Sequence, residues 1–182
     1  MANKEEYYLL KIEEIIERLR TNDRGIIDDI YNMALTLFES EEKRMKVIDT
    51  KGNYIMGIAG IALSLMFALA GYHPDRISSS QVILVLYFIT FMSFIGSLMT
   101  ALYVIAPRSD YKTVNEENLF NKKEINEGQN VYRRFITTHI WTIFQNNFRI
   151  NERKGRRLRW AYRLLSVSNS FFILLVLLII SQ

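Results

Sequence analysis

The sequence predicts an all-α membrane protein with three transmembrane helices and a cytoplasmic helical domain. Three observations carry that prediction. Charged residues are absent from Gly52–Pro74, from Ile77–Pro107 and from Leu164–Gln182, and about 18 uncharged apolar residues suffice for a helix to cross a bilayer core of roughly 30 Å. Lys and Arg crowd two flanks of these stretches and leave the intervening link almost bare. Outside them, apolar residues recur with helical spacing and nowhere alternate with period two over a useful length. The mean hydropathy of +0.03 conceals this division because it averages two populations.

Residues 1–51 read as cytoplasmic N-terminal helices. Tyr8, Ile12, Ile15 and Leu19 form a first apolar stripe, which breaks at Asn22–Gly25 and resumes with Ile27, Ile30, Ala34 and Leu37, then Met45 and Ile48. That second helix is expected to run straight on into the first span. Met1–Thr50 has no early apolar core and no small-residue cleavage pattern, so no leader is expected. Ala2 and the absence of Cys leave no lipidation signal. Residues 52–107 form a helical hairpin with spans at about 53–72 and 80–106. Residues 108–163 follow as a basic cytoplasmic helical domain, with a helix through Val131–Phe148, and residues 164–182 are the third span.

Orientation follows from the basic residues, since cytoplasmic flanks retain positive charge during insertion. The link between the first two spans carries only Asp75 and Arg76, whereas Lys43, Arg44, Lys46 and Lys51 precede the first span. Arg149, Arg153, Lys154, Arg156, Arg157, Arg159 and Arg163 precede the third. Both basic flanks therefore lie inside, giving a multi-pass inner-membrane protein with a cytoplasmic N-terminus. Residues 1–51 hold 9 Lys+Arg against 12 Asp+Glu, a net of −3, and residues 108–163 hold 13 against 6, a net of +7. Opposite fields and matching apolar faces predict that these two segments pack on each other.

The spans carry small and hydroxylated stripes. Gly57, Gly60, Ser64, Ala68 and Gly71 share one face of the first; Thr90, Ser93, Ser97 and Thr100 share one of the second; Ser166, Ser168, Asn169 and Ser170 open the third. Two readings fit: the stripes pack the three helices together, or they serve self-association, with hydroxyls and Asn169 facing water. No charged residue lies within a span, so a proton relay, voltage sensor or ion-coupled transporter has no machinery. With no Cys and only His73 and His139, neither a disulfide nor a metal site is expected. Paired carboxylates such as Glu13-Glu14, Asp28-Asp29 and Glu41-Glu42 diverge around a helix and read as solvated surface, leaving no catalytic pair.

Two polar clusters flank the membrane. Arg44, Asp49 and Lys51 fall at headgroup level, where Asp49 can meet Lys46, Arg44 or the basic flank of the third span. They read either as ordinary positive-inside residues with one compensating acid or as a polar latch on an inactive packing. Arg153, Lys154, Arg156, Arg157 and Arg159 anchor the chain to anionic lipid, with Trp160 and Tyr162 at the interface, or hold the phosphate of a cyclic nucleotide. Nucleic acid is not an expected partner, because the basic residues concentrate at the membrane surface.

Glu42, Arg44, Asp49, Lys51 and Gly52, followed at once by the Gly-rich first span, resemble the junction of Pycsar transmembrane effectors and of the related SLATT effectors. Pro107 at the end of the second span, Asn118-Leu119-Phe120, Ile125, and Leu158, Ala161 and Tyr162 before the last span extend the resemblance over roughly residues 38–182. It implies a small bacterial antiphage effector without catalytic activity, a homo-oligomer that impairs the inner membrane on a nucleotide signal. A cyclic nucleotide activator and membrane lipid are the implied ligands. One sequence feature points elsewhere. Arg134 and His139 match the R-x4-H spacing of HEPN ribonucleases, in which such residues from two subunits act on RNA. A membrane-tethered HEPN-like nuclease is thus one alternative, and a non-catalytic sensor or scaffold subunit is another.

Overall fold

The computed structural model describes Glu14, Glu17, Leu19 and residues 23–106, 111–113 and 128–181. The helices whose bounds are described are α1 (Arg24–Tyr72), α2 (Pro74–Ser79), α3 (Gln81–Ile105) and α4 (Gln129–Ile180), and none of the described residues is in a strand. Helices α1, α3 and α4 are each long and apolar enough to cross a membrane. Tyr8, Ile12, Ile15, Asn22, Pro107, Asn118-Leu119-Phe120 and Ile125 lie outside the described residues.

Local chemistry sets the helix ends. Asp23 caps α1, its Oδ1 accepting from the Gly25 amide at 2.8 Å. The helix then continues unbroken through Arg44, Asp49 and Lys51 into the first span. Pro74 occupies the first turn of α2, where its missing amide costs nothing. Ala106 after α3 is extended, the conformation imposed on a residue that precedes proline. Gly128, with φ of 108°, turns the chain into α4 through a region that side chains other than glycine rarely enter. The expected helix over Val131–Phe148 and the third span are one element, because both prolines lie elsewhere and a single interior Gly155 costs only about 1 kcal/mol.

The chain divides into two compact units, Met1–Met45 with Arg108–Asn151, and Lys46–Pro107 with Glu152–Gln182. In the first, Leu19, Ala34 and Phe38 pack against Ile140, Trp141, Ile143 and Phe144. Asp28 pairs with Arg133, which also lies over the Tyr31 ring at 5.1 Å. The acidic and basic segments thus associate, as their charges predict. In the second, Ile55, Ala59, Ala62 and Met66 of α1 meet Phe94, Ala101 and Val104 of α3 and Leu158, Ala161, Leu165 and Leu175 of α4. The outer faces of this unit expose Ile61, Phe67, Phe88, Met92, Ile173 and Leu177, a coat that lipid tolerates and water does not.

A series of buried positions spaced by three and four runs along α1 and along α4. In α1 it includes Ala34, Phe38, Glu41, Ile48, Gly52, Ile55, Ala59, Ala62 and Met66; in α4 it includes Ile140, Phe144, Asn147, Asn151, Lys154, Leu158, Ala161, Leu165 and Ser168, with Thr137, Trp141, Ile143, Gln145 and Ile150 buried beside it. A seven-residue repeat of this kind keeps one seam facing its neighbours.

Candidate functional site

Within that seam the polar residues are the informative ones. Lys154 sits at a core position of α4 with its side chain 4% exposed, and its Nζ donates to Asp49 Oδ1 of α1 at 2.9 Å. Asp49 is 30% exposed, so one partner is dry and the other partly wet. Of the three partners open to Asp49, the basic flank of the third span is the one it meets. Arg44 instead contacts Glu41 at 3.3 Å and lies over the Phe148 ring at 5.5 Å, while Lys51 points outward. The junction trio is therefore not one cluster.

The basic run separates by helix face. Lys154 turns inward, whereas Arg153, Arg156 and Arg159 are exposed. Lys154 is thus withdrawn from any phosphate-binding group, because its ammonium is buried against Asp49. Arg157 takes a third position: its guanidinium carbon lies 4.2 Å from the centroid of the Tyr103 ring, and its Nη1 is buried without a hydrogen-bond partner among the described residues. Arg163 stacks similarly over Trp160 at 5.2 Å.

Two fully buried amides stand outside the expectations drawn from the sequence. Asn151, fully buried, donates from Nδ2 to the Glu41 carbonyl at 3.0 Å and to Glu41 Oε2 at 2.9 Å. Asn147, also fully buried, grips a backbone: its Oδ1 accepts from the Lys112 amide at 3.1 Å and its Nδ2 donates to the Lys112 carbonyl at 2.8 Å. The signal was present. Asn147, Asn151 and Lys154 occupy three successive core positions of a seven-residue repeat that extends on to Leu158 and Ala161.

The span stripes divide between the two readings offered for them. Ser97 is fully buried and donates to the Ala161 carbonyl at 3.0 Å, joining α3 to α4. Ser93 and Asn169 are half-buried. Gly57, Gly60 and Gly71 bring no helices together among the described residues, since a Cβ added at any of them meets nothing there within 4 Å. Ser64 on the same face is exposed and donates to the Gly60 carbonyl of its own helix. The glycine that does bring helices together is Gly52, where a Cβ would stand 2.9 Å from Ile105 Cγ1. Small residues face outward on α1 because its buried seam is displaced from the glycine stripe.

Other features position the membrane unit. Tyr87 Oη donates to the Met66 carbonyl at 3.2 Å, and Arg76 Nη1 donates to the Ile179 carbonyl at 2.7 Å, satisfying an orphan acceptor at the end of α4. Arg134 and His139 are five residues apart on α4, which turns them about 140° from each other around its axis. His139 stacks on Phe135 with ring centroids 6.3 Å apart. No group of His, Cys, Asp or Glu among the described residues has metal-binding geometry.

No curated protein and no solved structure matches the chain. A family model does match: residues 33–181 align with that of PycTM, the Pycsar effector protein domain. This interval takes in most of α1, the whole of α3 and α4 and all three spans, so the chain belongs to the Pycsar effector protein domain family, a family of transmembrane effectors in antiviral defence.

Proposed function

We propose that this protein is the membrane-impairing component of an antiphage response. On a cyclic-nucleotide signal, copies associate in the inner membrane and compromise its integrity. The observation that carries this reading is the open small-residue face of α1: Gly57, Gly60 and Ser64 are left unpacked by the described residues, and such a face lets a second helix approach closely in lipid. Membership of the effector family supports the defence role.

The Lys154–Asp49 pair serves as the latch, holding the resting arrangement of α1 and α4 at the start of the spans. Both helices run without a break from the first compact unit into the second, which offers a route for a signal received outside the membrane. Arg153, Arg156 and Arg159, exposed on α4, are the groups that would meet a soluble phosphate. The N-terminus and residues 108–163 face the cytoplasm, placing them where the nucleotide is made. Membrane potential followed with a voltage-sensitive dye in expressing cells tests the proposal. Depolarisation is expected when a cyclic mononucleotide is supplied and not in its absence; depolarisation under neither condition, nor on phage infection, rejects it.

A further inference from the structure

Helix α1 carries a second seam that the described residues leave open. Before Gly52, where the uncharged stretch begins, the large apolar side chains that α1 leaves exposed are Ile26, Met33 and Val47, at 46, 56 and 51%. All three stand in one column of seven-residue spacing, with Ser40 in the place between Met33 and Val47. The column continues beyond Gly52 as Tyr54, Ile61 and Ala68, all exposed. Three residues on from its members lies a second exposed column at the same spacing: Thr36, Lys43, Thr50, Gly57, Ser64 and Gly71, with Asp29 at the far end. Two columns with this offset and period are the a and d positions of a coiled coil. They lie on a different face from Ile48, Ile55, Ala59, Ala62 and Met66, which pack on α3 and α4. Lipid accounts for apolar exposure beyond Gly52, but Met33 and Ile26 stand about 28 and 39 Å short of it along the axis, where an unfilled apolar column meets water.

We infer that α1 of a second copy fills this seam, packed in parallel from the water into the membrane, and that Lys43 facing Lys43 restrains the pairing. The inference rests on the proposed self-association and names the surfaces that meet and the element that opposes them. The occupant must cross from water into lipid in the same direction and hold a seven-residue period on the way, and α1 of another copy does both. Gly57, Ser64 and Gly71 admit its backbone closely within the bilayer. In a symmetric parallel pair each seam residue meets its own counterpart. Thr36 and Thr50 tolerate that, whereas Lys43 brings two ammonium groups together roughly 13 Å short of Gly52, and Asp29 adds a second like pair farther from the membrane. Glu39 and Lys46, the exposed charges within one turn of Lys43, fall to one side of the seam. In surroundings still open to water the repulsion is modest, enough to restrain association without forbidding it.

The sequence has no Cys, so single introduced cysteines report the seam in full-length chains oxidised in isolated inner membranes, with no nucleotide added. Val47→Cys is expected to give little disulfide-linked dimer with Lys43 in place and severalfold more with Lys43→Gln. Met33→Cys, in the same column, should do the same and provides the readout if Val47→Cys does not fold. Lys46→Cys, exposed beside the seam, should stay unlinked in Lys43→Gln chains, because a disulfide needs Cα atoms within about 7 Å. Lys43→Glu alone should keep the low yield, whereas chains carrying Lys43 and Lys43→Glu expressed together should link to each other well above random mixing. Equal linking from Val47→Cys and Lys46→Cys would mean random collision and overturn the seam. A yield unmoved by Lys43→Gln, with random mixing of the charge-reversed chains, would overturn the restraint. Nucleotide-dependent depolarisation without linking at Met33→Cys or Val47→Cys would overturn the seam and leave the membrane-impairing reading standing. Linking without depolarisation would support the seam and reject that reading.

Discussion

The ion pair between Lys154 and Asp49 is asymmetric, and its two halves should respond differently to substitution. Asp49→Ala strands an ammonium that is 4% exposed, whereas Lys154→Met leaves a carboxylate with access to water. A loss of about 2 kcal/mol or more is expected for the first and a smaller one for the second. The double variant should recover most of the loss, as thermal unfolding in detergent will show. Strictly additive losses would mean that the two residues are not coupled. If the pair is also the latch, Asp49→Ala changes toxicity at unchanged membrane levels; equal toxicity removes the latch from the mechanism. The Glu41–Asn151 contact has the same logic with a neutral partner. Buried polar residues in a seven-residue repeat fix register at a cost in stability, and Asn147, Asn151 and Lys154 provide three such layers on α4.

At the scale of the helix, glycines on one span have opposite meanings. Gly52 is a contact point, so Gly52→Ala drives a methyl against Ile105 and should loosen the pairing of α1 with α3. Gly57 and Gly60 face open space, so Gly57→Leu and Gly60→Leu should leave the fold of one chain intact. They should nonetheless weaken association between copies, because a bulky side chain keeps helix backbones apart. Crosslinking in membranes and detergent unfolding separate the two effects; unchanged crosslinking in Gly57→Leu/Gly60→Leu would remove this face from the assembly. The stripe itself was legible in the sequence, but its direction was not. Spacing identifies which residues share a face, whereas the partner of that face depends on side chains from distant parts of the chain. The buried face of α1 was equally present as Ile48, Ile55, Ala59, Ala62 and Met66, and only packing against α3 and α4 distinguishes it from the glycine face.

For the molecule as a whole, the basic flanks predict its orientation, and the absence of Cys makes that prediction simple to check. Ser78→Cys, exposed in α2, should react with an impermeant maleimide added outside spheroplasts. Gln129→Cys, exposed at the start of α4, should react only after permeabilisation. The reverse pattern would invert the topology and place the basic run on the outer face.

The three spans, the helical class, the passage of α1 into the membrane and the association of the acidic with the basic segment are all written in the sequence. They depend on local composition: an uncharged run is long enough to cross a bilayer or it is not, and net charge needs no coordinates. Membership of the effector family is carried by the same linear pattern. Tertiary structure decided the rest. It assigned Asp49 to Lys154, set Arg157 on Tyr103, buried Asn147 and Asn151, and turned the glycine stripe outward. Each of these depends on which of several chemically similar residues is dehydrated. Dehydration is a property of the packed helices, and a run of arginines and lysines carries no record of it until one of them points inward.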